Sequence, residues 1–172
     1  MRRRIGLLGA VVAVSAMGVP PATSGAASKH KPRHPALITS KAQCKTQVAV
    51  MVAAGDSGVT PPVQSGREFG DSTCGKTLGE GVQRDSFTVD DAGDTQSTFS
   101  WFFRTGTLHG SYSLAPQEGS LNFLNVDYVG TMTVSGGTGT LKGTFGTGAM
   151  ACTSADGIHT TCTTHLKLKK AA

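Results

Sequence analysis

The chain has 172 residues, room for one ordinary domain and little besides. It carries 16 Lys+Arg against 11 Asp+Glu, a formal +5, yet only 16% of residues are charged, 6% are aromatic and 23 are glycine. This excludes a highly charged disordered chain, a coiled coil and a protein with several membrane-spanning helices.

The charge is unevenly placed. Arg2, Arg3 and Arg4 precede an apolar run from Ile5 to Met17, then Val19-Pro20-Pro21 and small residues to Ala27. That three-part layout predicts a signal peptide over residues 1–27, cleaved before Ser28, and hence a secreted, extracellular protein. The apolar run is too short for a membrane span. Removing it leaves 13 bases against 11 acids. Five of those bases lie between Ser28 and Lys45, and three more are Lys167, Lys169 and Lys170. The body between Thr46 and Leu166 holds all 11 acids and five bases, a balance of −6. Nucleic acid is therefore not an expected partner, because the body lacks interleaved bases and aromatics. Residues 28–43, with Lys-His-Lys-Pro-Arg-His-Pro, read as a basic disordered linker, and residues 44–172 as the folded domain.

From Cys44 onward no 3.6-residue apolar period persists long enough for a helix. Eight strands are predicted: Gln47 to Ala54, Gly66 to Asp71, Gln83 to Asp90, Gln96 to Arg104, Gly106 to Leu114, Val126 to Val134, Leu141 to Thr153 and His159 to Lys169. Alternation sorts their faces. Leu108, Tyr112 and Leu114 share one face of their strand and Thr107, His109 and Ser111 the other; Val126, Tyr128, Met132 and Val134 oppose Asp127, Thr131 and Thr133. His109, His159 and His165 fall on polar faces and are expected to be exposed. Short connections rich in Gly, Asp, Pro and Ser suit antiparallel neighbours. Eight such strands can close as an antiparallel barrel with room inside for side chains or one small ligand. A β-sandwich is the alternative, and periodicity alone does not separate the two. Gly136, Gly137, Gly139, Gly143, Gly146 and Gly148 predict a tightly coiled hairpin, because glycine within strands marks bulges, sharp corners or close backbone approach. A phosphate-binding loop is not expected, since a strand follows and the Lys-Ser/Thr ending is missing.

Four cysteines in a secreted chain predict two disulfides, with three pairings available. A hairpin centred on Gly157 would oppose Cys152 and Cys162 on one face, leaving Cys44 with Cys74. No Cys-x-x-Cys or zinc-type spacing is present, so no metal or cofactor is expected. Phe99, Trp101, Phe103, Tyr112 and Tyr128 share inward parity and are the candidate ligand-binding residues, the competing reading being that they are simply the core. No nucleophile elbow singles out a serine and no catalytic residue is identified.

The run Gly130-Thr131-Met132-Thr133-Val134-Ser135-Gly136-Gly137-Thr138-Gly139-Thr140-Leu141-Lys142-Gly143-Thr144-Phe145-Gly146 resembles the glycine turn and following strand of the allene oxide cyclase and dirigent-like barrels. Trp101 to Tyr112 is similar to their preceding hairpin, and Cys152 to Cys162 to small secreted bacterial members. The resemblance spans about residues 97–168. It implies an eight-stranded barrel with an apolar interior, often a homotrimer, but transfers no active site: the cyclase has an acid near its first strand, and Thr46 to Ala54 has none. The expectation is a non-catalytic secreted barrel that binds a small apolar ligand or an extracellular partner. The alternative is a cyclase-like or dirigent-like enzyme guiding a reactive intermediate.

Overall fold

The computed structural model describes residues 36–55, 64–118, 126–156 and 158–171. The proposed signal peptide and linker residues 28–35 lie outside them. Eight strands run in chain order: β1 (Leu37–Gly55), β2 (Gln64–Thr73), β3 (Glu80–Val89), β4 (Thr95–Phe103), β5 (Gly106–Pro116), β6 (Val126–Gly137), β7 (Thr144–Ser154) and β8 (His159–Ala171). Each pairs antiparallel with the next, and β8 pairs with β1, which closes the barrel and rules out the sandwich. A short helix α1 (Gly75–Leu78) joins β2 to β3, and a 3₁₀ turn (Gly139–Leu141) lies between β6 and β7.

Strand ends shift by a few residues throughout, and two differences have an identifiable cause. Residues 37–43, assigned to the linker, belong to β1, because β8 extends far enough to pair them: Leu37 faces Ala171 and Gln43 faces His165. Composition missed this since the pairing partner lies at the other end of the chain. Leu141, expected in the seventh strand, instead turns. Its N–H bonds the Thr138 carbonyl, the Thr140 N–H bonds Thr105 in the β4–β5 turn, and Gly143, at φ +76°, reverses the chain ahead of β7.

Closure also brings the two basic stretches together. Lys41 stands directly opposite Lys167, and Lys45 and Lys169 follow on the same outer face. They form one basic wall rather than two separate tails.

Tight coiling explains the glycines. A Cβ on Gly130 would lie 1.8 Å from the Ser113 carbonyl oxygen, and one on Gly110 would lie 1.9 Å from that of Thr133. These strands cross closer than any side chain allows. Bulges between Val50 and Val52 and between His109 and Gly110 add bend where the sheet must curve.

The interior is graded along the axis. Towards the β2–β3, β4–β5 and β6–β7 connections it is filled by Trp101, Leu108, Met132, Val134, Leu166 and Leu168, all at most 2% exposed, with Leu78 of α1 also buried. Towards the other end the inward residues Phe87, Val89, Val126 and Tyr128 are half-buried, while Leu114, Cys152 and Ser154 stay buried. Both expected disulfides are present. Cys152 and Cys162 face each other across β7 and β8, and Cys44 of β1 is joined to Cys74 just before α1. Such pairs are compatible with an extracellular protein. No helix among the described residues is long and apolar enough to cross a membrane.

Candidate functional site

Four of the five aromatic residues picked out by parity are buried in the core, and Tyr128 packs half-buried against it. Phe99 lies 5.2 Å from Trp101 and 6.5 Å from Tyr112, centroid to centroid, and Trp101 meets Phe103 edge-on at 6.1 Å. Trp101 and Phe103 belong to the filled end. Phe99, Tyr112 and Tyr128 stand nearer the middle of the barrel, where the interior changes character.

There, polar groups converge. Gln83 and Asp85 are two residues apart on β3 and therefore point the same way, inward. Both are 1% exposed. The Trp101 indole N–H donates to Gln83 Oε1. Gln83 Nε2 in turn donates to Asp85 Oδ2 at 2.5 Å, and the Tyr112 hydroxyl donates to the same oxygen at 3.0 Å, reaching across β4. Glu68 of β2 pairs directly with Asp85, so the two carboxyl groups share the inner face.

Two carboxylates this close, out of water, do not both ionise. Burial, reinforced by the neighbouring Asp85 charge and hydrogen bond, raises Glu68 to about 8. Burial also raises Asp85, but the Gln83 and Tyr112 donors oppose that shift. We therefore assign the shared proton to Glu68 and the charge to Asp85. The protein's donors meet Asp85 Oδ2 but none reaches Oδ1. Glu68 stands directly across the strand pair, and it can donate to that carboxylate only while protonated. Burial raises the Tyr112 phenol well above its ordinary range, with the two acids adding to the shift, and raises Tyr128 with a contribution from Glu68. Both phenols therefore stay neutral donors.

This pair sets a pH dependence. The folded state holds a proton that the unfolded chain releases near the ordinary glutamate value of 4.5. The pair's contribution is thus complete below about pH 4.5 and is lost as pH rises towards 8. Urea unfolding at pH 5 and pH 8.5 is expected to show a loss on the order of 2 kcal/mol at the higher pH. Glu68→Gln should flatten that slope, since an amide donates to Asp85 at every pH.

The other residues considered from sequence stay apart from this cluster. Of the charged residues that an enzyme reading of the sequence would draw on, Asp85 lies in the cluster, whereas Glu80, Arg104 and Asp127 are exposed, Asp127 accepting a bond from Thr153 Oγ1 at 2.6 Å. His109, His159 and His165 are exposed as expected. His159 bonds Asp156 at 2.7 Å, and this bond, with backbone N–H donors, lowers Asp156 to about 2. A depression of about 760 Å³ along β2, β3 and β4 is lined by residues including Arg67, Phe87, Gln96 and Ser97 but not by either acid. Among the described residues, no group of three or more His, Cys, Asp or Glu could hold a metal.

Sequence reasoning missed Glu68, Gln83 and Asp85 as a unit because alternation was read as polar outside and apolar inside. The signal was present: Gln83, Asp85, Phe87 and Val89 keep one parity, so an inward Phe87 commits both polar residues to the interior. No protein-family model matches the chain, and no curated protein resembles it significantly.

Proposed function

We propose that the protein is a secreted, small-molecule-binding barrel that holds a guest with an apolar body in the half-buried part of its interior, its polar atom against Glu68 and Asp85. The observation that supports this reading most is the graded interior: one end filled with apolar side chains, then the buried, hydrogen-bonded Asp85 with half-buried Glu68 beside it, then half-buried Phe87, Val126 and Tyr128. A few placed polar groups within an apolar lining suit a small-ligand pocket. Secretion is supported by the leader-like segment and the two disulfides. Native mass spectrometry of protein purified without denaturant is the test, with saturable uptake of the neutral dye Nile red as a second readout. A retained mass lost on denaturation supports the reading, whereas bare protein that takes up no dye overturns it.

The carboxyl pair itself favours a second reading, a cyclase-like or dirigent-like enzyme. One carboxyl protonated near neutrality beside one ionised is the division of labour that general acid and base catalysis requires. A retained guest that is chemically converted by the wild-type protein and unchanged in Glu68→Gln would establish it. The homotrimer implied by the family resemblance belongs to this same proposal, and sedimentation equilibrium decides it.

A further inference from the structure

We propose that the guest is an organic amine: a cationic nitrogen on an apolar, preferably aromatic, body, its ammonium seated between Glu68 and Asp85. This rests on the barrel-pocket reading above and specifies its ligand class.

Three observations carry it. The first is the balance of donors and acceptors. Asp85 is 1% exposed, its Oδ2 already receives Gln83 and Tyr112, and its Oδ1 has no donor from an N–H or hydroxyl. Across the strand pair stands a second carboxyl, Glu68. The two carboxyl groups offer acceptors on one inner face, with a buried oxygen that calls for positive hydrogen. An ammonium brings three N–H donors and a positive charge in one group.

The second is the sign of the field. Within β1 to β8 the inward-facing base among the described residues is Lys170, near the end of β8, bonded through Nζ to the Thr140 carbonyl at the filled end of the barrel. No cation enters the environment of either acid. The neighbours facing them are Val48 and Val50 of β1, Ser97 and Phe99 of β4, Tyr112 of β5 and Tyr128 of β6. A carboxylate or phosphate guest would meet uncompensated negative charge in a low-dielectric interior. A ketone can accept the Glu68 proton but brings no donor to Asp85 Oδ1, and an alcohol brings a single donor without the charge that offsets Asp85.

The third is the lining. Phe99 pairs with Asp85 across β3 and β4, Tyr112 bonds it, and Tyr128 packs on the same core, and aromatic rings attract ammonium groups as carboxylates do. Acid pair and rings together select for charge and apolar body at once.

Binding has a proton balance. At rest the pair holds one proton and one negative charge. When RNH₃⁺ enters, both carboxyls ionise and the Glu68 proton leaves to solvent, so cation and two carboxylates end neutralised to −1 and up to one proton appears per amine bound. No bond is formed or broken apart from this O–H.

The test uses three probes of one shape, 4-phenylbutylamine, 4-phenylbutanol and 4-phenylbutyric acid, titrated calorimetrically into the intact disulfide-bonded protein at pH 7 in buffers of differing ionisation enthalpy. The amine is expected to bind at least about tenfold more tightly than the alcohol, one charged contact being enough for that factor. The acid is expected not to bind, and the amine enthalpy should vary with buffer in proportion to the released proton. Glu68→Gln should abolish the buffer dependence while keeping amine preference through Asp85, and Asp85→Asn should erase the preference. Equal or tighter binding of the alcohol or acid overturns the amine assignment and leaves the pocket reading standing. If none of the three binds and Nile red is also excluded, both fail together. Should Asp85→Asn not fold, Glu68→Gln and the three probes on the wild type still decide the matter.

Discussion

Trp101→Ala is expected to remove about 3–5 kcal/mol of stability, the largest effect of any single substitution in the barrel. The indole is fully buried and packs against both Phe99 and Phe103, so truncation opens a hole that the surrounding closed sheet cannot collapse to fill. A second cost is polar. Its N–H is the donor to Gln83 Oε1, and Gln83 has no water to turn to. Trp101→Phe separates the two effects: it keeps most of the ring volume, loses the donor, and is expected to cost about 1–3 kcal/mol. Urea titrations of the two variants, compared at equal slope, provide the measurement. Because Gln83 also holds Asp85, the phenylalanine variant should weaken the carboxyl pair as well, seen as a changed stability slope between pH 5 and pH 8.5. If both variants matched the wild type, Trp101 would not be the packing centre its burial indicates.

Replacing either disulfide pair by alanines should cost about 2–5 kcal/mol, and the two pairs should not be equal. Cys44 and Cys74 are 30 residues apart, Cys152 and Cys162 only 10. Cross-linking the wider loop removes more freedom from the unfolded chain, worth about 1 kcal/mol extra for a threefold longer loop. Cys152 and Cys162 already stand opposite each other in a two-strand hairpin, so that bridge reinforces a contact the local turn favours. Cys44–Cys74 instead pins the middle of β1 to the connection carrying α1, next to the strand pair that closes the barrel. Thermal unfolding of Cys44→Ala/Cys74→Ala and Cys152→Ala/Cys162→Ala should therefore rank the first as less stable. The reverse order would mean that packing of the sulfurs, rather than loop closure, dominates.

Much of the barrel was legible in the chain because strands advertise themselves locally. Alternation at Leu108, Tyr112 and Leu114, or at Tyr128, Met132 and Val134, places an inner face without knowledge of any neighbour. The turn signal at Asp156-Gly157 was enough to oppose Cys152 and Cys162, and glycine at 146 and 148 pointed to close backbone approach. Other features depend on distant partners. Leu37 to Gln43 carry no strong strand pattern of their own and join β1 because β8 runs alongside them. Leu141 looks like strand but is held in a turn by hydrogen bonds to Thr138 and through Thr140 to Thr105.

The acid pair shows the same division most clearly. Asp85 alternates with Gln83 and Phe87, but an acid at an inward position reads as an exception until something is seen to receive it. Glu68 lies 17 residues before Asp85, Tyr112 27 residues after it and Trp101 18 after Gln83. Nothing in those spacings marks them as one network. The sequence alone determined strand content, inner-face aromatics and the cysteine pairing, since each follows from contacts between residues near in the chain or from period two. Tertiary structure decided closure, the joining of the basic ends into one wall, and the meeting of Glu68, Gln83, Asp85, Trp101 and Tyr112. These depend on register across several strands, which hydrogen bonding and the barrel's curvature set collectively and no local pattern encodes.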